Sequence, residues 1–204
     1  MSANNTSDKY NRIIDALETL LLEKRLTSIS VSEIAQTAGI GKGSIYYYFS
    51  SKEAILEALV ERSYKKPLEI ASSLVDQTDV SPFTRMAIIF QACRKSSTAF
   101  SARQTEAAPQ ESAFLRQKYM RHLMEQLKPV LTTIIEQGIE QGFVQFERPA
   151  ALAEIVLIVL TVKLDNTMAP SSPEEIEDTI RGLVSLVEKG TGNPAGSLNF
   201  LMDF

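Results

Sequence analysis

Residues 30–56 read SVSEIAQTAGIGKGSIYYYFSSKEAIL and contain two helix starts separated by a glycine turn. Ser30 and Glu33 have the spacing of a capping box, in which each side chain closes the first turn of a helix against the other residue's backbone. Gly39 follows this short helix, where a residue that tolerates a left-handed backbone can turn the chain sharply. A second short helix is predicted over 41–49, and Ser50 with Glu53 repeats the capping pattern before a longer helix.

The residues before this segment form one further amphipathic helix, predicted from about Asp8 to Lys24. Its apolar side chains recur at three- and four-residue spacing and define a single stripe: Ile13, Ile14, Leu17, Leu20 and Leu21. A packing helix followed by a short helix, a glycine turn and a second short helix is the arrangement of a three-helix helix-turn-helix. The segment therefore predicts a DNA-binding module, with the helix-turn-helix at about 31–50.

The same segment resembles the signature of TetR-family transcriptional regulators over about the first 60 residues. The resemblance lies in Ile34-Ala35, Ala38-Gly39-Ile40, the run from Lys42 to Phe49, and Ser51-Lys52-Glu53-Ala54-Ile55-Leu56. It implies a DNA-binding repressor that a small, mostly apolar effector of unknown identity releases from its operator. A transcriptional activator and a ligand-independent DNA-binding regulator remain open alternatives.

The rest of the chain is also helical in pattern. Helices are predicted from about Ser81 to Phe100, from Gln110 to Gln141, from Pro149 to Met168, and from Pro173 to near Gly190, with Ser101–Pro109 irregular. We therefore predict an all-α protein, and the resemblance to the TetR family implies about nine or ten helices. Residues 1–66 form the DNA-binding domain and residues 67–204 form a helical domain for effector binding and dimerisation.

The second short helix of a helix-turn-helix enters the major groove. The residues expected to contact DNA offer backbone access, a cation or hydroxyl groups: Ser32, Gly41, Lys42, Gly43, Ser44, Tyr46, Tyr47, Tyr48 and Lys52. For Ser32, helix-start chemistry is an equal alternative, whereas Ile45 and Phe49 are expected in the core. Residues 41–48 lack Arg, Asn and Gln, the side chains that pair bidentately with guanine or adenine, so backbone contacts and DNA shape should dominate recognition.

An effector pocket needs an apolar lining with few polar groups. The candidates lie on the helices after residue 81 and are Met86, Phe90, Cys93, Phe100, Phe114, Tyr119, Met120 and Met124. Ordinary core packing is the alternative for each of them. His122 is the sole histidine, which excludes a multi-histidine metal site, and neither a metal nor another cofactor is expected.

The last two predicted helices carry the candidate dimer interface. Residues 155–160 are all apolar, and a helix that is apolar on all sides must be buried on all sides. The proposed interface side chains are Ile155, Ile158, Val162, Ile176, Ile180, Leu183, Val184 and Val187. A homodimer would read a palindromic double-stranded operator, one half-site per subunit; the alternative is that both helices complete the core of a single chain.

Charge and composition constrain the remaining classes. Lys and Arg number 9 against 8 Asp and Glu in residues 1–66, and 12 against 17 in residues 67–204, so the basic balance lies at the DNA-binding end. One cysteine, Cys93, and no apolar leader favour a cytoplasmic protein without a membrane partner. No catalytic motif is present, so an enzyme is not expected.

Residues 190–197 are expected to be a flexible linker, and the apolar residues 198–204 to pack on their own chain or on a partner.

Overall fold

A computed structural model describes residues 2–102, 109–166 and 169–204, and over these residues the protein contains eight α-helices, two short 3₁₀ helices and no strand. The α-helices are α1 Ser2–Leu21, α2 Val31–Thr37, α3 Lys42–Tyr48, α4 Lys52–Val75, α5 Pro82–Ala102, α6 Pro109–Glu140, α7 Pro149–Asp165 and α8 Pro173–Gly190. The 3₁₀ helices are Leu26–Ser28 and Asn199–Met202. The all-α class is confirmed. The α-helix count is slightly below the predicted nine or ten.

Local capping explains where the shorter helices begin. Ser30 accepts a hydrogen bond from the Glu33 backbone while the Glu33 carboxylate accepts one from the Ser30 backbone, so the predicted capping box is confirmed. Ser172 and Glu175 form the same reciprocal pair at the start of α8. The predicted end of α7 near Met168 lies outside the described residues; the helix ends at Asp165, where Asn166 takes a left-handed φ of 55°.

The chain divides into two compact units. The first unit comprises residues 1–63 and 98–119, and the second comprises residues 64–97 and 120–204. In the first unit α1 packs on α2 and α2 packs on α3. Its fully buried side chains include Ile13, Leu17, Ile34, Ile45 and Ile55. The domain boundary after residue 66 stays a prediction.

The second unit holds the C-terminal segment. Leu198 and Leu201 join Leu160, Ile180 and Leu183 in one buried cluster, so the predicted packing of the apolar tail is confirmed, and it occurs within the chain. The prediction that residues 190–197 form a flexible linker is wrong. The Thr191 carbonyl accepts from Gln145, and the buried Glu188 carboxylate accepts from the backbone N–H groups of Gly196 and Leu198.

No helix among the described residues combines the length and apolar character needed to cross a bilayer.

Candidate nucleic-acid interface

Helix α3 has one buried and one exposed face. Ile45 and Phe49 are 1% and 5% exposed and fasten the helix to the core, as expected. On the opposite side Tyr46 is 54% exposed and Tyr47 is 80% exposed. Large aromatic side chains rarely remain this open unless they contact something else. The exposed side of α3 is therefore the candidate surface for a binding partner.

The first turn of α3 belongs to the same surface. Gly41, Lys42 and Gly43 are exposed, and a Cβ placed on Gly43 would meet no atom within 4 Å. A glycine with this much space is not required by packing inside the chain, but it lets another molecule approach the backbone closely. Lys42 places a positive charge beside that open backbone.

The other predicted DNA-binding residues surround these. Ser44 and Tyr48 are half-buried, and the ring of Tyr48 meets that of Tyr47 edge-on at a centroid distance of 5.0 Å. That contact restricts where the Tyr47 hydroxyl can lie. Ser32 is exposed in the first turn of α2, while the capping bonds are made by Ser30, so the Ser32 hydroxyl is not used as the N-cap.

Lys52 has a structural role that the sequence did not reveal. Its ammonium group donates to the carbonyl oxygens of Leu26 and Ile29 at 2.7 and 2.9 Å. The sequence favoured a phosphate partner, because a cation in the first turn of a helix opposes the helix dipole. The two carbonyl groups supply the compensating negative partial charges, and of the three donor protons of a lysine one remains. A phosphate contact by Lys52 stays a prediction.

Arg12 is a contributor that the sequence analysis missed. It lies on the polar side of α1, and its Nη2 donates to the Ala38 carbonyl at 2.6 Å and to the Gly39 carbonyl at 3.3 Å. Gly39 has φ +64°, so the turn between α2 and α3 has the predicted left-handed residue. Arg12 therefore stabilises the carbonyl end of α2 and fixes the turn. No sequence signal within the motif could have indicated a partner 26 residues away.

The predicted pocket residues lie in both units and are placed unit by unit. In the first unit Phe100 and Tyr119 are buried and stacked at a centroid distance of 4.9 Å, while Phe114 is 46% exposed. In the second unit the remaining candidates are half-buried: Met86, Phe90, Cys93, Met120 and Met124. Phe90 lies edge-on to Phe200 of the C-terminal segment, at a centroid distance of 6.2 Å. Their role in a pocket stays a prediction.

The predicted dimer residues also divide into two sets. Ile155 and Ile158 are 53% and 47% exposed on α7, whereas Val162, Ile176 and Val187 are half-buried. Ile180, Leu183 and Val184 are buried in the core of their own chain, so these three side chains are already covered without a partner. Leu186, which the sequence analysis did not single out, is 73% exposed on α8.

Known proteins resemble this chain in sequence and in fold. A family profile described as bacterial regulatory proteins, tetR family, matches residues 13–59, which span the motif described above. An uncharacterized HTH-type transcriptional regulator of Bacillus subtilis, YvdT, is 43% identical over 56 residues, which are 28% of this chain and only 29% of YvdT. The HTH-type transcriptional repressor KstR2 of Rhodococcus jostii is 26% identical over 202 residues, covering 94% of this chain and 97% of KstR2.

The fold extends the likeness beyond the motif. The crystal structure of Escherichia coli NemR in its reduced form has a TM-score of 0.57 at 22% identity and covers 92% of this chain and 100% of NemR. At this identity the comparison supports the shared fold alone. The helix-turn-helix and the matching profile concern the same N-terminal region. Residues 13–59 therefore match the tetR family of bacterial regulatory proteins, and the chain as a whole is similar in fold to NemR.

Proposed function

We propose that the protein is a DNA-binding transcriptional regulator, a repressor that a small effector releases from its operator. The observation that carries the proposal is the exposed side of α3. The opposite side of this helix is buried, whereas four of its residues are exposed to solvent: Lys42, Gly43, Tyr46 and Tyr47. The repressors KstR2 and NemR among its relatives support the same function.

The proposed recognition is dominated by the DNA backbone. Lys42 is the one cation on the exposed side of α3 among the described residues, and the tyrosine hydroxyls suit phosphate oxygens. Phosphate contacts fix the register of a protein on DNA without reading sequence. Specificity then comes from Lys42 at one base step per half-site, from methyl contacts of a tyrosine and from the sequence-dependent cost of deforming the operator. Two subunits would present two such surfaces to a palindromic site.

The proposal is tested by selecting binding duplexes from a random DNA pool and measuring affinity by fluorescence anisotropy over a range of salt concentrations. Lys42→Ala should weaken binding by about 1–3 kcal/mol and relax preference at one base position. Lys65→Ala is the matched control, because Lys65 is 73% exposed on α4 and lies outside the proposed surface. Failure to enrich any sequence, or equal effects of the two variants, would contradict the proposal.

Lys52 provides a second comparison. Lys52→Ala should lower the melting temperature as well as the affinity, because it removes the two carbonyl contacts. If Lys52 also meets a phosphate, its variant will flatten the dependence of affinity on salt. An unchanged salt dependence would leave Lys52 with its structural role alone.

A further inference from the structure

Arg85 is an unusual residue of the second unit. It lies in the first turn of α5, where a cation opposes the helix dipole, and its side chain is completely buried. Burial of a charged group is costly unless its hydrogen-bonding groups find partners. An arginine in this position therefore requires an explanation from its contacts.

The Nη1 group of the Arg85 guanidinium has hydrogen-bond partners. Nη1 donates to the carbonyl oxygens of Leu74 and Val75, each at 3.3 Å, and to Gln137 Oε1 at 2.5 Å. The two carbonyl groups lie at the C-terminal end of α4, where the negative end of the helix dipole attracts a cation. Gln137 also donates to the Val75 carbonyl. One edge of Arg85 thus ties α5 and α6 to the end of α4.

The edge of the guanidinium formed by Nε and Nη2 is different. Nε and Nη2 are buried and have no hydrogen-bond partner in the part of the chain that the structure describes. No carboxylate forms an ion pair with Arg85 among those residues either, although Asp79 is near enough to act on its charge. Nε–H and the adjacent Nη2–H point the same way and form the pair of parallel donors that a carboxylate accepts side-on.

We infer that the second unit binds a carboxylate, held by Nε and Nη2 of Arg85. The inference rests on the proposed function, since it gives the chemical class of the effector. Its carboxylate would complete the donors left open and neutralise a buried cation in one contact.

The neighbouring turns of the same helices are apolar. One helical turn from the contacts described above lie Ala71 on α4, Ile89 on α5 and Ile134 on α6, all of them buried. These aliphatic side chains suit an apolar body attached to the carboxylate. They disfavour inorganic phosphate, because a second negative charge would raise the cost of desolvation. Since both open donors are covered in this structure, the helices around them must separate for the ligand to enter, and water is excluded once it is bound.

The test compares matched ligands on the full-length protein without DNA. Octanoate, hexanoate and benzoate are added to the wild type alongside octanamide, hexanamide, benzamide and inorganic phosphate, and binding is followed by thermal shift and calorimetry. We expect saturable binding of at least one of these carboxylates, with at least tenfold weaker binding of its amide. Equal binding of acid and amide, a response to phosphate alone, or no response in the panel would overturn the inference.

Variants then locate the site. Arg85→Met should lose the response at least tenfold, whereas Arg181→Met, at an arginine 66% exposed on α8, should keep it. If Arg85→Met does not fold, the Nε–H resonance of Arg85 in the wild type provides the test and should move downfield when the carboxylate binds. An unmoved resonance, or full binding by Arg85→Met, would overturn the assignment.

DNA release is measured separately. If a carboxylate binds through Arg85 but does not release the selected duplex, the ligand site is supported and the proposal that an effector controls DNA release is contradicted. If an uncharged compound releases the duplex and carboxylates do not bind, effector-controlled release is supported and the carboxylate assignment is contradicted.

Discussion

At the scale of single residues, Gly39 and Arg12 hold the turn between α2 and α3. Gly39 occupies φ +64°, and a Cβ at this position would lie 2.9 Å from Nη2 of Arg12. A side chain would therefore strain the backbone and push against the group that binds the end of α2. The turn depends on a glycine for both reasons.

Gly39→Ala should consequently lower the free energy of unfolding by about 1–2 kcal/mol, the usual cost of a left-handed backbone for a residue with a side chain. The matched control is Gly43→Ala, where the added methyl group meets nothing within 4 Å and the backbone is helical. That variant should be at least as stable as the wild type, since alanine favours helix, while its affinity for DNA should fall. Urea denaturation of both variants checks the prediction, and equal stabilities would contradict it.

Cys93 is set apart by its environment. Burial raises the pKa of its thiol to about 12. In the unfolded chain the thiol loses its proton near pH 8.5, whereas the folded chain keeps it. Stability therefore falls as pH rises above about 8.5, by at most about 1.4 kcal/mol per pH unit.

Two measurements check this behaviour of Cys93. A thiol reagent at pH 8 should react more slowly with the half-buried Cys93 of the native protein than with the same thiol in denaturant. Cys93→Ala should remove the part of the alkaline loss of stability that the thiol causes. Rapid labelling of the native protein would show that the thiolate is accessible.

At the scale of elements, the start of α2 links the helix-turn-helix to pH. Lys24 and the Ser30 backbone hold the pKa of Glu33 at about 2, with the hydrogen bond from Lys24 as the larger cause. A lowered carboxyl pKa stabilises the fold above the unfolded value of about 4.3, and this contribution is lost as pH falls toward 2.

NMR titration of the glutamate carboxyl groups tests that link. In Lys24→Met the pKa of Glu33 should move toward its ordinary value, so the loss of melting temperature in acid should become smaller and should end at a higher pH. Glu33→Gln should remove the Glu33 contribution altogether. A pKa unchanged in Lys24→Met would show that the capping bonds alone lower it.

The C-terminal 3₁₀ helix, Asn199–Met202, is a second element with a clear energetic role. Leu201 is 4% exposed in the cluster of α7 and α8, and Glu188 binds the backbone leading into it. Leu201→Ala should cost about 2–5 kcal/mol of stability, the range for a buried leucine. Leu186→Ala is the matched control on the same unit, because Leu186 is 73% exposed and its loss should leave the stability of a single chain nearly unchanged. Chemical denaturation at a protein concentration low enough to favour monomers distinguishes the two variants.

At the scale of the whole molecule, the features that the sequence predicted are local ones. The capping box at Ser30, the turn at Gly39 and the buried side of α3 each depend on residues within one or two helical turns, so spacing alone reveals them. The partners of Lys52 and Arg12 lie more than 20 residues away in the sequence. The same is true of Gln145 and Thr191, which are joined by a backbone hydrogen bond. Such contacts depend on how helices pack, which periodicity does not specify. The sequence alone could have indicated that Arg85 is unusual, because its positive charge opposes the dipole at the start of α5.

The dimer prediction shows what burial adds to that pattern. The apolar side chains of α7 and α8 are alike in sequence, yet Ile158 is 47% exposed and Leu183 is 7% exposed in the single chain. An arginine at position 158 would be exposed to water in the monomer. Only in a dimer that buries this position would its charge lie in an apolar interface without a neutralising group. An arginine at position 183 would be buried in either state, at a cost of several kcal/mol. The two substitutions should therefore fail in different ways.

Ile158→Arg should keep the helical circular dichroism of the wild type but sediment as a monomer, and its affinity for a palindromic duplex should fall at least tenfold because one subunit reads only a half-site. Leu183→Arg should instead lose cooperative unfolding. Ile88→Arg is the control for an exposed apolar residue on another helix, being 42% exposed on α5, and it should remain dimeric. If Ile158→Arg sediments as a dimer and Ile88→Arg does not, the subunits meet through α5. If all three variants remain folded dimers, neither α5 nor the exposed side of α7 lies between the subunits.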